Sequence, residues 1–196
     1  MPSRSRRAKT GTVLFFIPIV LVIAVVVYSV ISATASVNGT LEINAQSSGR
    51  YFSSSKLNVS ASVGTSSGIT PFSLELPQGV YTVVFSGLKW YETPPPREVT
   101  VSRGVTSFAV AIYDPILQVV SVQGNQFNST KLVAEHGVTP VIWVNHMGDY
   151  AVMTSTLTGN ILIPPSQNFT YIFKEAGTYE FSLPISGSNV LTIVVS

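Results

Sequence analysis

The 196-residue chain contains no cysteine. That absence excludes disulfides, thiolate metal sites and any thiol nucleophile. Charge is scarce, with 10% of residues Asp, Glu, Lys or Arg, and there are two histidines. So few imidazoles leave little material for a multi-histidine metal centre. The sequence also lacks a Gly-rich phosphate loop and an elbow motif around any serine, so phosphoryl transfer and Ser/His/Asp hydrolysis have no support. Glu92 with Glu98, and Glu175 with Glu180, read as solvated carboxylates rather than an acid/base pair. The chain is read as not an enzyme, with no cofactor and no small-molecule substrate evident.

What is abundant is apolar: 45% of residues are hydrophobic and 10% aromatic, enough to build a core and too many for a disordered tail. The net charge of +2 is unevenly placed. Arg4, Arg6, Arg7 and Lys9 supply four of the eleven basic residues, and beyond them seven basic residues face nine acidic ones, a charge of about −2. No basic stripe remains for nucleic acid.

Residues 12–35 carry no charge and are almost continuously apolar. At roughly 1.5 Å per residue such a helix spans a hydrocarbon layer of about 30 Å; Pro18 within it is tolerated in lipid. The basic residues all precede the run, so the positive-inside rule keeps residues 1–11 in the cytoplasm as a short tail and sends the remainder outside. The expectation is a single-pass protein of the cell membrane with its β domains extracellular. Two other readings stay open: a cleaved signal peptide ending near Ala33-Thr34-Ala35, and a pilin-like leader processed near Gly11. All three place the remainder outside. Four acceptor sequons follow the apolar run, at Asn38, Asn58, Asn128 and Asn168, as in a surface glycoprotein.

Beyond the helix, short runs alternate with period two between Gly, Pro and Asn punctuation, and no 3.6-residue repeat recurs. The fold class is therefore all-β. In residues 37–114 strands are expected at 40–45, 56–63, 72–76, 80–85, 98–101 and 107–113, with a turn at Pro77-Gln78-Gly79 and no central strand through Pro94-Pro95-Pro96. Gly39-Thr40-Leu41-Glu42-Ile43, Thr70-Pro71, Leu76-Pro77-Gln78-Gly79-Val80-Tyr81 and the stretch 99–108 resemble PEGA or carboxypeptidase-regulatory-like β modules. The resemblance implies a sandwich that spaces or presents other domains and carries no chemistry. Trp90-Tyr91 before the prolines read either as a contact patch or as a packing lid.

Asp114-Pro115 marks a boundary, since proline restricts its neighbour and removes a ladder donor. In residues 115–196 strands are expected at 117–122, 131–134, 139–145, 151–155, 169–173, 178–183 and 190–195. Val141-Ile142-Trp143-Val144-Asn145, the Pro164-Pro165 turn, Phe169-Thr170-Tyr171-Ile172-Phe173 and Ala176-Gly177-Thr178-Tyr179-Glu180-Phe181 are similar to the cupredoxins, the β-sandwich of blue copper proteins.

That resemblance implies four ligand positions. They fall at Ala151 (or its neighbour Tyr150), Leu183, Ser186 and Asn189, where the family has histidine, cysteine, histidine and methionine. A type 1 centre needs two imidazoles, a thiolate and a weak axial thioether. With no cysteine anywhere the site reads as erased; His146, after the Trp143-Val144-Asn145 strand, is the one weak metal candidate. The overall expectation is two consecutive β-sandwich domains, the second cupredoxin-like, after one N-terminal transmembrane helix. By resemblance this is a noncatalytic extracytoplasmic subunit or accessory protein of a membrane assembly, of the kind found beside respiratory terminal oxidases. A structural pilus, thread or envelope protein of an archaeal surface is the alternative, and a divergent metal-binding electron-transfer protein a third.

Overall fold

The computed structural model describes residues 38–51, 53–184 and 189–196, and its regular structure is entirely β. The tail 1–11 and the membrane helix expected at 12–35 lie outside the described residues. Among the described residues no helix is long and apolar enough to cross a membrane.

Alternation builds the first sandwich. In β1 (Asn38–Ser47) Leu41, Ile43 and Ala45 are buried and the residues between them half-buried, because successive side chains of an extended chain point to opposite faces. The strands that follow are β2 (Ser60–Val63), β3 (Ser66–Ile69), β4 (Phe72–Pro77), β5 (Gly79–Phe85), β6 (Arg97–Val101) and β7 (Thr106–Tyr113). They form two sheets, β4-β1-β7 and β3-β2-β5-β6. Leu41 and Ile43 from one and Val83, Phe85 and Val101 from the other share a single core. β1 runs parallel to β7, from Thr40 beside Thr106 to Ser47 beside Tyr113.

A second core draws on β8 (Gln118–Gln123), β9 (Gln126–Phe127), β10 (Lys131–Ala134), β11 (Pro140–Asn145), β12 (Ala151–Ser155), β13 (Gly159–Ile163), β14 (Asn168–Ile172), β15 (Gly177–Ser182) and β16 (Val190–Val195). One sheet has the order β14-β11-β8-β9 and the other β10-β16-β15-β12-β13. Each contains one parallel pair, β8 with β11 and β10 with β16. Trp143 is fully buried at the centre, its ring 4.8 Å from that of Phe181 and 5.6 Å from that of Phe169.

Three strands were not expected: β3, β9 and β13. The strand expected at 56–63 begins only at Ser60, and ahead of it Lys56 makes one bridge, to Gln46. β3 is an edge strand of Ser-Ser-Gly-Ile with no fully buried residue; backbone pairing to β2 holds it rather than an apolar face.

The two sandwiches are stitched together along the boundary. The Tyr91 backbone bridges Pro115, Glu92 N–H donates to Asp114 O at 2.8 Å, and Ile116 N–H donates to Trp90 O at 2.8 Å. Val138, from the turn before β11, packs against the first core. Holding this pairing puts Trp90 at φ 70°, a strained conformation for a bulky residue that persists only when surrounding bonds over-determine it. Tyr91 is buried edge-on to Tyr113, rings 6.2 Å apart at 88°, and Tyr113 Oη donates to Ser86 O at 2.6 Å. Burial pushes both phenols above their ordinary value. Trp90 is half-buried with Lys89 Nζ 5.0 Å from the ring centre. The pair is a packing lid over the joint.

Both sandwiches turn one corner by the same device. Tyr81 Oη donates to Pro77 O at 2.9 Å, and Tyr179 Oη to Glu175 O at 3.0 Å, each reaching four residues back. Glycine sits two residues before each tyrosine, and a Cβ built on Gly79 or Gly177 would lie 3.4 Å or 3.6 Å from the ring, so the ring lies over the glycine. Each bond ties the start of its strand to the turn before it. Tyr81→Phe and Tyr179→Phe should each lower stability by about 0.5–1 kcal/mol with the rest of the fold intact. Thermal melts followed by circular dichroism check this; midpoints unchanged in both variants would show that these corners contribute nothing.

Candidate functional site

The end of the second sandwich where β11 finishes is the place to test for chemistry, because the resemblance put its ligand positions there. Asn145 ends β11 fully buried. Its Nδ2 lies 2.8 Å from Asp149 O, 2.9 Å from Ile163 O and 3.1 Å from Pro164 O, while Oδ1 accepts the Met147 N–H at 2.9 Å. Three carbonyls on one side and an N–H on the other fix which atom is nitrogen. An amide nitrogen has two hydrogens, so one of them is shared between two acceptors. The Asn145 backbone N–H also donates to Gln167 O at 2.9 Å. One side chain thus ties the loop after β11, the end of β13 and the turn before β14.

Two of the expected ligand positions are filled by carbon. Ala151 opens β12 fully buried, and Leu183, just past β15, is 4% exposed; both belong to the core around Trp143. Tyr150 is exposed at 59%. Asn189 Nδ2 donates to Asn125 O at 3.2 Å, joining the start of β16 to the turn between β8 and β9. Ser186 lies outside the described residues. His146 is exposed, its backbone N–H donating to Val122 O at 2.9 Å. Met147 beside it is half-buried and packs on the core. A copper set does not fit here: methyl and isobutyl groups occupy two positions, and neither can donate an electron pair.

The second histidine cannot help. His136 Nδ1 is 2.8 Å from Ser196 O, and the next residue, Gly137, donates its N–H to Phe173 O, beside the start of β11. His146 follows the end of that strand. Six residues of extended chain put the two ends of β11 roughly 20 Å apart, with one histidine near each. Among the described residues no group of three or more His, Cys, Asp or Glu could hold a metal. A cleft of about 300 Å³ lies on the first sandwich, lined by Asn44, Gln46, Lys56, Pro71 and Val110, which offers no paired acid and base.

The sequons stand differently from one another. Asn58, Asn128 and Asn168 are exposed, whereas Asn38 is half-buried. Sequence reasoning quoted Asn145 only as part of a strand pattern and gave it no role; its partners at 149, 163 and 164 are contributed by elements that composition does not connect.

Comparison with family models gives no match, and comparison with curated proteins gives none. Among solved structures the chain is similar to a purple cupredoxin from Nitrosopumilus maritimus, at 19% identity and a TM-score of 0.36 over 40% of this chain and 99% of that one. It is similar to a Cu(I) form of an amicyanin variant, at 18% identity and 0.36 over 41% of this chain and 82% of that one. A second amicyanin variant, oxidised, gives 20% and 0.36 over the same shares. Likenesses this partial bear no functional weight, and the sandwich described above rests on its own strand registers.

Removing the Asn145 carboxamide strands a buried N–H and several buried carbonyls. Asn145→Ala should cost roughly 2–4 kcal/mol, and Asn145→Asp more at neutral pH, because a carboxylate would face three carbonyl oxygens. Denaturant titration of the three proteins checks the order; a stable Asp variant would mean the loops do not depend on this donor.

Proposed function

We propose that the chain is a noncatalytic, extracytoplasmic accessory protein of a membrane assembly, anchored by its apolar segment at 12–35, with a cupredoxin-like C-terminal scaffold that has lost its copper site. The observation that carries the reading is the end of the second sandwich. Ala151 and Leu183 sit in the core where the resemblance puts a histidine and a cysteine, and the loops around them are tied together by Asn145. The backbone pairing across Tyr91 and Pro115 supports a single rigid presenting unit, which suits an interaction role better than a hinged carrier. A respiratory complex of the terminal-oxidase kind is the assembly to which the sequence resemblance points.

One feature favours the structural alternative, a surface thread or envelope component. β13 is an edge strand, and Leu162 on it, 60% exposed, stands opposite Val152, 36% exposed; an edge with outward apolar side chains can take another strand.

Extraction of the protein from its native membrane in mild detergent should bring stoichiometric integral-membrane partners. Filaments or sheets of the chain alone under the electron microscope would overturn the accessory reading in favour of the structural one. Titration of the purified protein with copper should give no visible absorption band; one copper per chain with such a band would refute the lost site.

A further inference from the structure

Three of the acceptor sequons stand open and the fold closes the fourth. Asn128 follows β9 and prolongs its pairing with β8: the Asn128 backbone N–H donates to Ser121 O at 3.0 Å, and Asn128 Oδ1 accepts the Ser121 N–H at 2.9 Å. The carboxamide is thereby held by its oxygen. Nδ2, the atom that forms an N-glycosidic bond, has no hydrogen-bond partner among the described residues. Asn168 opens β14 opposite Val144, and it faces outward because its neighbour Phe169 packs against Trp143. Val144 pairs in turn with Ser121. Asn168, Val144, Ser121 and Asn128 therefore form one row across the outer face of the β14-β11-β8-β9 sheet. The two asparagines end the row, roughly 14 Å apart at three strand spacings. Asn58 is exposed just ahead of β2. The hydroxyls of Ser60, Thr130 and Thr170, which complete these sequons, make no hydrogen bond among the described residues.

Asn38 is built in instead. Its Oδ1 is enclosed without a partner. Gly39, the middle residue of its sequon, is buried so tightly that a Cβ there would lie 2.2 Å from Ser102 O. The Thr40 hydroxyl already donates to Glu75 Oε1 at 3.0 Å. The amide oxygen of this sequon is enclosed and its hydroxyl engaged, unlike those of the other three.

We infer that Asn58, Asn128 and Asn168 carry N-linked oligosaccharides and that Asn38 does not. In the transfer, Nδ2 bonds to C1 of the first sugar of a lipid-phosphate-linked oligosaccharide donor. The bond from C1 to the phosphate oxygen breaks, the lipid phosphate leaves with the electron pair, and one amide proton passes to base; nothing is oxidised or reduced. This rests on the outward placement of the β domains proposed above, where such a donor is met. The sugars at Asn128 and Asn168 flank β9 and β14, the two edges of their sheet, and bulk there obstructs pairing with another strand. The opposite sheet carries no sequon, so its outer face stays open to partners.

Glycopeptide mapping by mass spectrometry of the full chain taken from its native membrane tests the inference. Sugar is expected on the peptides holding Asn58, Asn128 and Asn168, with an unmodified amide at Asn38. Thr130→Ala and Thr170→Ala, both at exposed positions, should each remove the mass of one oligosaccharide while thermal melts still show a folded protein. A bare amide at any of the three, or sugar on Asn38, overturns the assignment. Protease added to intact cells separates this inference from the placement beneath it. β domains cleaved from outside yet carrying bare asparagines defeat the glycans alone; β domains shielded within the cell defeat the placement and the glycans together.

Discussion

The carboxamide of Asn145 is the constraint on which the end of the second sandwich depends. Loops that leave a β-sandwich have backbone polar groups with no ladder to join, and burying them unpaired is costly. One asparagine at the end of β11 satisfies the carbonyls of residues 149, 163 and 164 and the N–H of residue 147. With those loops secured from within, the adjoining positions are free to be apolar. Ala151 and Leu183 extend the core around Trp143 up to the loops. A site organised this way has packing where a metal centre would need donors.

A chain without cysteine cannot staple its modules covalently, and it uses backbone pairing instead. The segment at 90–92 runs against the boundary residues 114–116, with Glu92 and Ile116 donating across. That pairing is what forces Trp90 to a positive φ, and the strain is offset by the burial of Tyr91 against Tyr113 and by the Tyr113 bond to Ser86. The sequence offered the boundary at Asp114-Pro115 and the aromatic pair at Trp90-Tyr91 as separate features. In the fold they are one feature: the proline cannot donate, and its neighbours Asp114 and Ile116 make the bonds on either side of it. The prolines at 94–96 then release the chain from this pairing before β6 begins.

What the sequence made legible was whatever rests on alternation. β10, β12 and β16 fall on the residues expected, because each presents apolar side chains on alternate positions to a core. β13 hid in plain view: Ile161 and Ile163 point inward, but Leu162 between them points outward, so three consecutive apolar residues carried no period. β3 hid for another reason, since its pairing partner rather than an apolar face holds it in place, and β9 is two residues long, too short to show a period. Missing β13 also concealed Asn145. Two of its three acceptors, Ile163 O and Pro164 O, lie at the end of that strand, and no local pattern around residue 145 announces them. Motif reading located the candidate site through the positions of ligands that are not there. It did not show what Asn145, itself part of the resemblance, ties together.

The repeated tyrosine corner shows how a sandwich can be held by a purely local device. In Pro77-Gln78-Gly79-Val80-Tyr81 and in Glu175-Ala176-Gly177-Thr178-Tyr179 the phenol returns to the carbonyl four residues earlier, over a glycine. The two stretches share only glycine and tyrosine at matching places, and they stand in sandwiches with different strand orders. The requirement is local: a turn carbonyl that water would otherwise solvate, a ring long enough to reach it, and no Cβ beneath the ring. Such a device is indifferent to what the far loops bind. Residues 151 and 183 belong to the alternating core itself, whereas the corners stand apart from both. The corners therefore hold their strands whatever group stands at those two positions, because each bond is made within its own turn.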